Sequence, residues 1–345
     1  MWGELMDTQV TGLIKQIAPE AMVLLKQRYE ILSAIQFNQP IGRRMLADKL
    51  MVSERTLRKE LEFLHNHDFL MVAIAGVSLT EKAVVLLFEL QTLIREILGL
   101  TYSEKELAEK LGLSKAVIVP GNSDADASVL FGMGRAAAGL IKDKVKANSI
   151  IAVMGGWTIA RVTEMVGGHY PGVVVVPARG GLGEEVEIQA NTVAAKLAER
   201  LGGSYKMLHV PENLDPGALG TLLADQRIKN IVAIIRNADI LLYSIGRADI
   251  MARRRGLSKS NVARLLTKGA VAEALGNYYS REGKLVDRVP SLGIEIKDQT
   301  KLALSVAIAG GTCKAQAIVA ALQRSERQVL VTDEGAAVAM LKILG

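Results

Sequence analysis

The chain has 345 residues, half of them hydrophobic and 23% charged, enough for two ordinary globular domains and unlike the composition of a disordered chain. One cysteine, Cys313, excludes an internal disulfide framework and fits a reducing, cytoplasmic setting. No apolar run approaches the roughly 20 residues of a membrane span, and the early Glu4 and Asp7 do not suit a signal peptide. The net charge of +6 permits a nucleic-acid partner without requiring one. The four histidines have no metal-ligand spacing with Cys313, so neither a metal nor another cofactor is expected.

Residues 1–20 are mildly amphipathic, and their pattern leaves open whether they pack on a partner subunit or fray. "AMVLLKQRYEILSAIQ" (21–36) has Val23, Leu24, Ile31, Leu32 and Ile35 near helical period, so these are expected inward. After Pro40, "IGRRMLADKL" (41–50) reads as a short helix with Met45, Leu46 and Leu50 inward. "MVS" is a tight connection, and Ser53 is placed to cap "ERTLRKELEFLHNH". There Leu57, Leu61 and Leu64 form one stripe, while "HNH" (65–67) ends the helix.

Two helices joined this way have helix-turn-helix grammar, with the second helix reading a major groove of double-stranded DNA. Arg55 and Arg58 are candidates for guanine contacts, Thr56 shares their face, and Lys59, Arg43 and Arg44 can hold phosphates. Between 41 and 59 those six bases, with Lys49 in place of Thr56, face only Asp48 and Glu54; over 1–80 bases and acids balance. The basic signal is therefore local, and a helical docking module with a solvated face is the competing reading. Two apolar runs around Gly76 in 68–83 suggest a wing hairpin. Next come an apolar helix capped by Thr80 and a shorter helix (103–113) opened by Ser103. These give a winged helix-turn-helix over 1–85, a helical connector over 86–115 and a larger domain over 116–345. The connector suits a dimer contact or the first core helices of the larger domain.

From 116 onward the pattern changes. Apolar runs at 116–120, 149–156, 173–181, 206–211, 238–246, 302–311 and 328–335 alternate with helix-like stretches. That is the signature of an α/β fold with a Rossmann-like parallel sheet covered on both faces, whose ligands lie beyond the strand C-termini. "GGWT" (155–158) and "GGTCK" (310–314) both join a strand end to a helix start there. Gly155, Gly156 and Gly311 let backbone N–H groups approach an anion; Thr158 and Thr312 add hydroxyls, and Lys314 adds charge, with Trp157 and Cys313 between them. Neither loop has Walker or dinucleotide spacing. "ARGGLGEE" (178–185) is a third glycine run and brings Arg179. Arg254 belongs to the run "MARRRG", and Gln189 and Glu273 could recognise sugar hydroxyls; each of these also has a plain reading as a surface or capping residue.

The long stretches "PIGRRMLADKL", "SERTLRKELEFL", "VIVPGNSD", "GMGRAA", "VPARGGLGE", "QAN", "AVAEALGNYY", "AGGTCKAQAI" and "VLVTDEGAA" run nearly end to end. With them the chain resembles the SorC/DeoR-type bacterial transcription regulators, most of all those of glycolytic genes. The resemblance implies a winged helix-turn-helix followed by an effector domain like sugar-phosphate isomerases and deaminases. It implies a repressor of a glycolytic operon, a dimer or tetramer on operator DNA, relieved by fructose 1,6-bisphosphate. It also implies that Gly156, Thr158, Arg179, Gln189, Arg254, Glu273, Thr312 and Lys314 hold the effector. Trp157 stands where these regulators commonly carry a second threonine, which puts the bisphosphate in question and opens the way to a related sugar phosphate. The competing function is a sugar-phosphate isomerase or deaminase, but Asp333, Glu334 and Glu273 show no obvious acid–base partner.

Overall fold

The computed structural model describes residues 12–14, 16–181, 185–212, 214–323 and 326–345. Most of the amphipathic start, residues 1–11 and 15, and the Leu182–Glu184 part of the third glycine run lie outside the described residues. The chain divides into two compact units, the first ending at Thr101 and the second running Tyr102–Gly345. The division falls inside the stretch expected as a connector.

The first unit opens with helix Pro19–Asn38, followed by helices Arg43–Leu50 and Glu54–Asn66. Ser53 caps the third of these, its hydroxyl accepting the Thr56 N–H at 3.1 Å. Leu57, Leu61 and Leu64 are buried against Ile31, Leu32, Ile35 and Leu46. Met51 takes a left-handed conformation that ends the preceding helix and keeps the connection short. Strands β1 (Leu70–Ala73) and β2 (Gly76–Leu79) form the expected hairpin, and Thr80 caps helix Glu81–Ile97.

Three inward assignments fail. Val23, Leu24 and Met45 are exposed, because the helical stripe that meets the core is carried instead by Met22, Ile31, Leu32, Ile35 and Leu46. Ser103 is no cap, since its helix spans Leu100–Leu111 and starts before it.

The second unit contains β3 (Lys115–Val119), β4 (Ile150–Val153), β5 (Val174–Pro177), β6 (Ser204–Tyr205) and β7 (Ile240–Tyr243). There follow β8 (Ile245–Arg247), β9 (Ala270–Ala274), β10 (Asn277–Ser280), β11 (Leu285–Arg288), β12 (Leu304–Ile308) and β13 (Gln328–Asp333). A parallel sheet runs in the order β3-β13-β12-β7-β4-β5-β6. Its Val and Ile side chains pack on helices including Val129–Lys144 and Ala190–Arg200, which is why the strands read as continuous apolar runs. The run at 206–211 is not a strand; β6 ends before it, at Tyr205.

The sequence reading also lacks a second sheet. After Ser244, β7 passes into β8, and β8 to β11 pair antiparallel in the order β11-β10-β9-β8. Helices Ala248–Arg254 and Lys259–Thr267 pack on it through Ala252, Val262 and Leu265. This small sheet carries Arg247 and Glu273 to the C-terminal edge of the large one.

Candidate functional site

In the first unit, Arg43, Arg44, Arg55 and Arg58 surround a notch of about 570 Å³ between the starts of the two helix-turn-helix helices. Arg44 pairs with Glu54 at 3.2 Å and Arg58 with Glu62 at 3.8 Å, but all four side chains are exposed. Exposed pairs of this kind hold each other by about 0–1 kcal/mol, so a phosphate can replace either acid. Thr56 has its hydroxyl 2.8 Å from Ser53 Oγ and so belongs to the helix cap as well as to the exposed face. Lys59 is exposed one turn further on and does not line the notch.

In the second unit a cleft of about 250 Å³ opens beyond the C-terminal ends of β4, β7 and β12. Gly155, Gly156, Trp157 and Thr158 form one wall. Gly155 is there for space: a Cβ on it would lie 2.6 Å from the Ile188 carbonyl and 2.8 Å from the Ala190 nitrogen. Gly156 donates its N–H to the same Ile188 carbonyl at 2.8 Å, so this amide is used internally rather than aimed at a ligand. The loop is thus fastened to the segment bearing Gln189, which also lines the cleft. Trp157 is about half exposed and Thr158 is buried at the wall.

Cys313 and Lys314 line the cleft from the second glycine loop; Gly311 and Thr312 do not. The Gly311 N–H points back to Asp333 Oδ2 at 2.7 Å, and Thr312 Oγ1 accepts from Asn122 at 3.1 Å. The Cys313 N–H donates to Asp124 Oδ2 at 2.9 Å, and its thiol donates to Asp124 Oδ1 at 3.1 Å. Burial, together with the Asp124 hydrogen bond and charge, pushes the Cys313 thiol pKa up. Asp333, buried, also accepts from the Ser123 and Ala336 N–H groups. Asn122, Ser123 and Asp124 were missed as functional candidates. Their signal was "GNSD", a polar cluster right after β3 at the same sheet edge.

Arg179 is placed differently from the expectation. It does not line the cleft. Its buried guanidinium donates to Glu212 at 2.8 Å, to the Leu275 carbonyl at 2.6 Å and to the Val289 carbonyl at 3.0 Å. Burial lowers its pKa to about 10, with the neighbouring Arg255 acting in the same direction. Of the arginine run, Arg254 lines the cleft and is exposed. Arg255 is buried and forms ion pairs with Glu212 and, at 2.9 Å, with Glu273. Glu273 therefore reaches the cleft with its Oε1 already engaged by Arg255 and by the Gly276 N–H at 2.6 Å. Two arginines and two glutamates form a charge-balanced floor. Above it stand Arg247, Arg254 and Lys314, of which Arg247 is bonded to Asp249 at 3.0 Å. The cleft surface is consequently cationic and suited to an anionic ligand.

Residues 95–342 match the Sugar-bind family of sugar-binding domains, and residues 24–94 match the CggR N-terminal DNA binding domain. The chain is 39% identical over 330 residues to the central glycolytic genes regulator of Bacillus subtilis, covering 95% of this chain and 97% of the relative. The protein of that name from Priestia megaterium is also 39% identical, over 94% and 95%. A SorC family transcriptional regulator from Enterococcus faecalis has a solved structure at 37% identity and TM-score 0.65, covering 70% of this chain and 99% of its own. Full-length SorC from Klebsiella pneumoniae, at 20% identity, shares the fold with TM-score 0.64 over 94% of this chain and 98% of that one. These relatives are regulators rather than enzymes. A DNA-binding head followed by a sugar-binding α/β domain, matched along nearly the whole length, makes this chain a member of the SorC family of transcriptional regulators.

Proposed function

We propose that the chain represses glycolytic genes by binding operator DNA and that a phosphorylated sugar, foremost fructose 1,6-bisphosphate, relieves the repression. One observation carries the effector class: Arg254 and Lys314, on separate elements, flank a cleft whose buried charges are already paired. Among the described residues the cleft lining carries more cations than acids, which suits a ligand with phosphate groups. The glycolytic target rests on the similarity to the two central glycolytic genes regulators.

In this reading Gly155, Gly156, Trp157, Thr158, Gln189, Arg254, Glu273, Cys313 and Lys314 meet the effector. Arg179 supports the floor, and Gly311 and Thr312 shape the second loop. Arg43, Arg44, Arg55, Thr56, Arg58 and Lys59 face the DNA. The protein works in the cytoplasm as a dimer or tetramer. Effector and operator favour different arrangements of the assembly, so each weakens the other by the same factor.

The test is a thermal-shift titration with fructose 1,6-bisphosphate, fructose 6-phosphate and dihydroxyacetone phosphate. Stabilisation by the bisphosphate, lost in Lys314→Ala, is the expected result. A response only to the monophosphates moves the effector assignment to them; no response to any of the three refutes the phosphorylated-sugar reading.

A further inference from the structure

The second glycine loop already holds an anion, and it comes from the protein itself. Asp124 accepts the Cys313 N–H at 2.9 Å and the Cys313 thiol at 3.1 Å. Its carboxylate also crowds Gly311. A Cβ on Gly311 would be 2.3 Å from Asp124 Oδ1, 2.8 Å from its Cγ and 3.1 Å from Oδ2. Gly311, at φ +91°, is the residue that lets a carboxylate come this close. The next two residues along, Cys313 and Lys314, line the ligand cleft. The carboxylate therefore occupies, at the border of the cleft, the backbone amide to which a phosphate oxygen on Lys314 would turn.

We propose that Asp124 is a built-in counter-anion of the Gly311–Lys314 loop, which the phosphate of an arriving ligand displaces. The proposal rests on the phosphorylated-effector reading above. Two anions at one amide, that of Cys313, repel strongly at contact distance. Of the two, the aspartate is the cheaper to move. Its side chain is exposed, it lies in the connection between β3 and helix Val129–Lys144, and water can solvate it once released. The loop itself stays in place, because Asp333 holds the Gly311 N–H from the buried side. Asp124 thus sets how tightly a ligand must bind to take the seat, and it keeps the loop preformed while the seat is untaken.

The experiment is isothermal titration of the full-length protein with fructose 1,6-bisphosphate and, separately, inorganic phosphate, in the wild type and in Asp124→Asn, Asp124→Glu and Lys314→Ala. Removing the competing charge is expected to tighten both ligands roughly tenfold in Asp124→Asn, the scale of one charge-assisted hydrogen bond. Asp124→Glu, which keeps the charge, is expected to bind no tighter than wild type. Melting curves without ligand check that each variant is folded. If the wild type binds the bisphosphate and Lys314→Ala does not, while Asp124→Asn binds equally or more weakly, the counter-anion idea is wrong and the effector reading stands. If neither the wild type nor Asp124→Asn binds either ligand, the effector reading falls and takes the counter-anion with it.

Discussion

The two double-glycine loops look like copies in the sequence and differ in what their backbones are bonded to. In the first, Gly155 presses on the Ile188–Ala190 backbone, and the Gly156 N–H is spent on the Ile188 carbonyl. In the second, the Gly311 and Cys313 N–H groups both face carboxylates, Asp333 and Asp124. One loop is fastened by neutral backbone, the other by anions. A strand–Gly–Gly–helix pattern therefore specifies a close approach but not the partner, and only the second loop is tuned to negative charge within the protein itself.

Both loops line the cleft that Glu212, Arg255 and Glu273 also line, and the largest effect comes from breaking that buried charge cluster. Glu212→Ala leaves Arg179 and Arg255 buried without their common partner and is expected to lower stability by about 3–5 kcal/mol in urea unfolding. A loss under about 1 kcal/mol would show that Glu212 is not the partner that keeps these two buried arginines stable.

Alanine in each loop separates them next. Gly155→Ala drives a Cβ into fixed backbone and is expected to cost about 3 kcal/mol, the upper part of the overpacking range. Gly311→Ala meets a side chain that can swing away, leaving backbone strain of about 1–3 kcal/mol. Equal melting temperatures for the two variants would contradict the distinction between them.

Charge comes third. Lys314→Ala is expected to weaken the effector by about 1.5–3 kcal/mol, roughly 10- to 100-fold, while operator affinity without effector is kept. Arg55→Ala should do the reverse, costing about 1–3 kcal/mol at one operator position in a binding assay with sequence variants.

The smallest effect concerns shape. Trp157→Thr should change the preference between bisphosphate and monophosphate by less than about tenfold, since it alters a half-exposed wall and no charge. Calorimetry with both ligands reads it directly.

Legibility followed range along the chain. The Ser53 and Thr80 caps, the Leu57–Leu61–Leu64 stripe and most of the parallel strands are local patterns, and all were readable. The stretch β8–β11 was not, because β9 is Ala-rich and these short strands show no clean alternation of apolar and polar residues. Val23, Leu24 and Met45 were misplaced because apolar residues outnumber the inward positions of their helices, and only the packing selects among them. At the site, Lys314 and the first loop, read from their motifs, and Arg254, implied by the resemblance, line one cleft. Arg179 was assigned to the ligand because a cation at a strand end looks the same whether it faces a phosphate or a glutamate 33 residues away. The Asp124–Cys313 contact joins residues 189 apart, a separation that no local pattern encodes.

The strand order has a further consequence, one of timing. β3 forms the edge of the large sheet, and its hydrogen-bonding neighbour is β13, with Lys115 opposite Val329. At ribosomal rates of roughly 5–20 residues per second, the first strand waits on the order of 10–40 seconds for the last. The helix-turn-helix, by contrast, is complete before β3 has been made. The head is thus assembled early and the sensor only at the close of synthesis. A chain cut short anywhere between β3 and β13 would carry a finished DNA reader and an unfinished sensor, an operator-binding fragment blind to its effector.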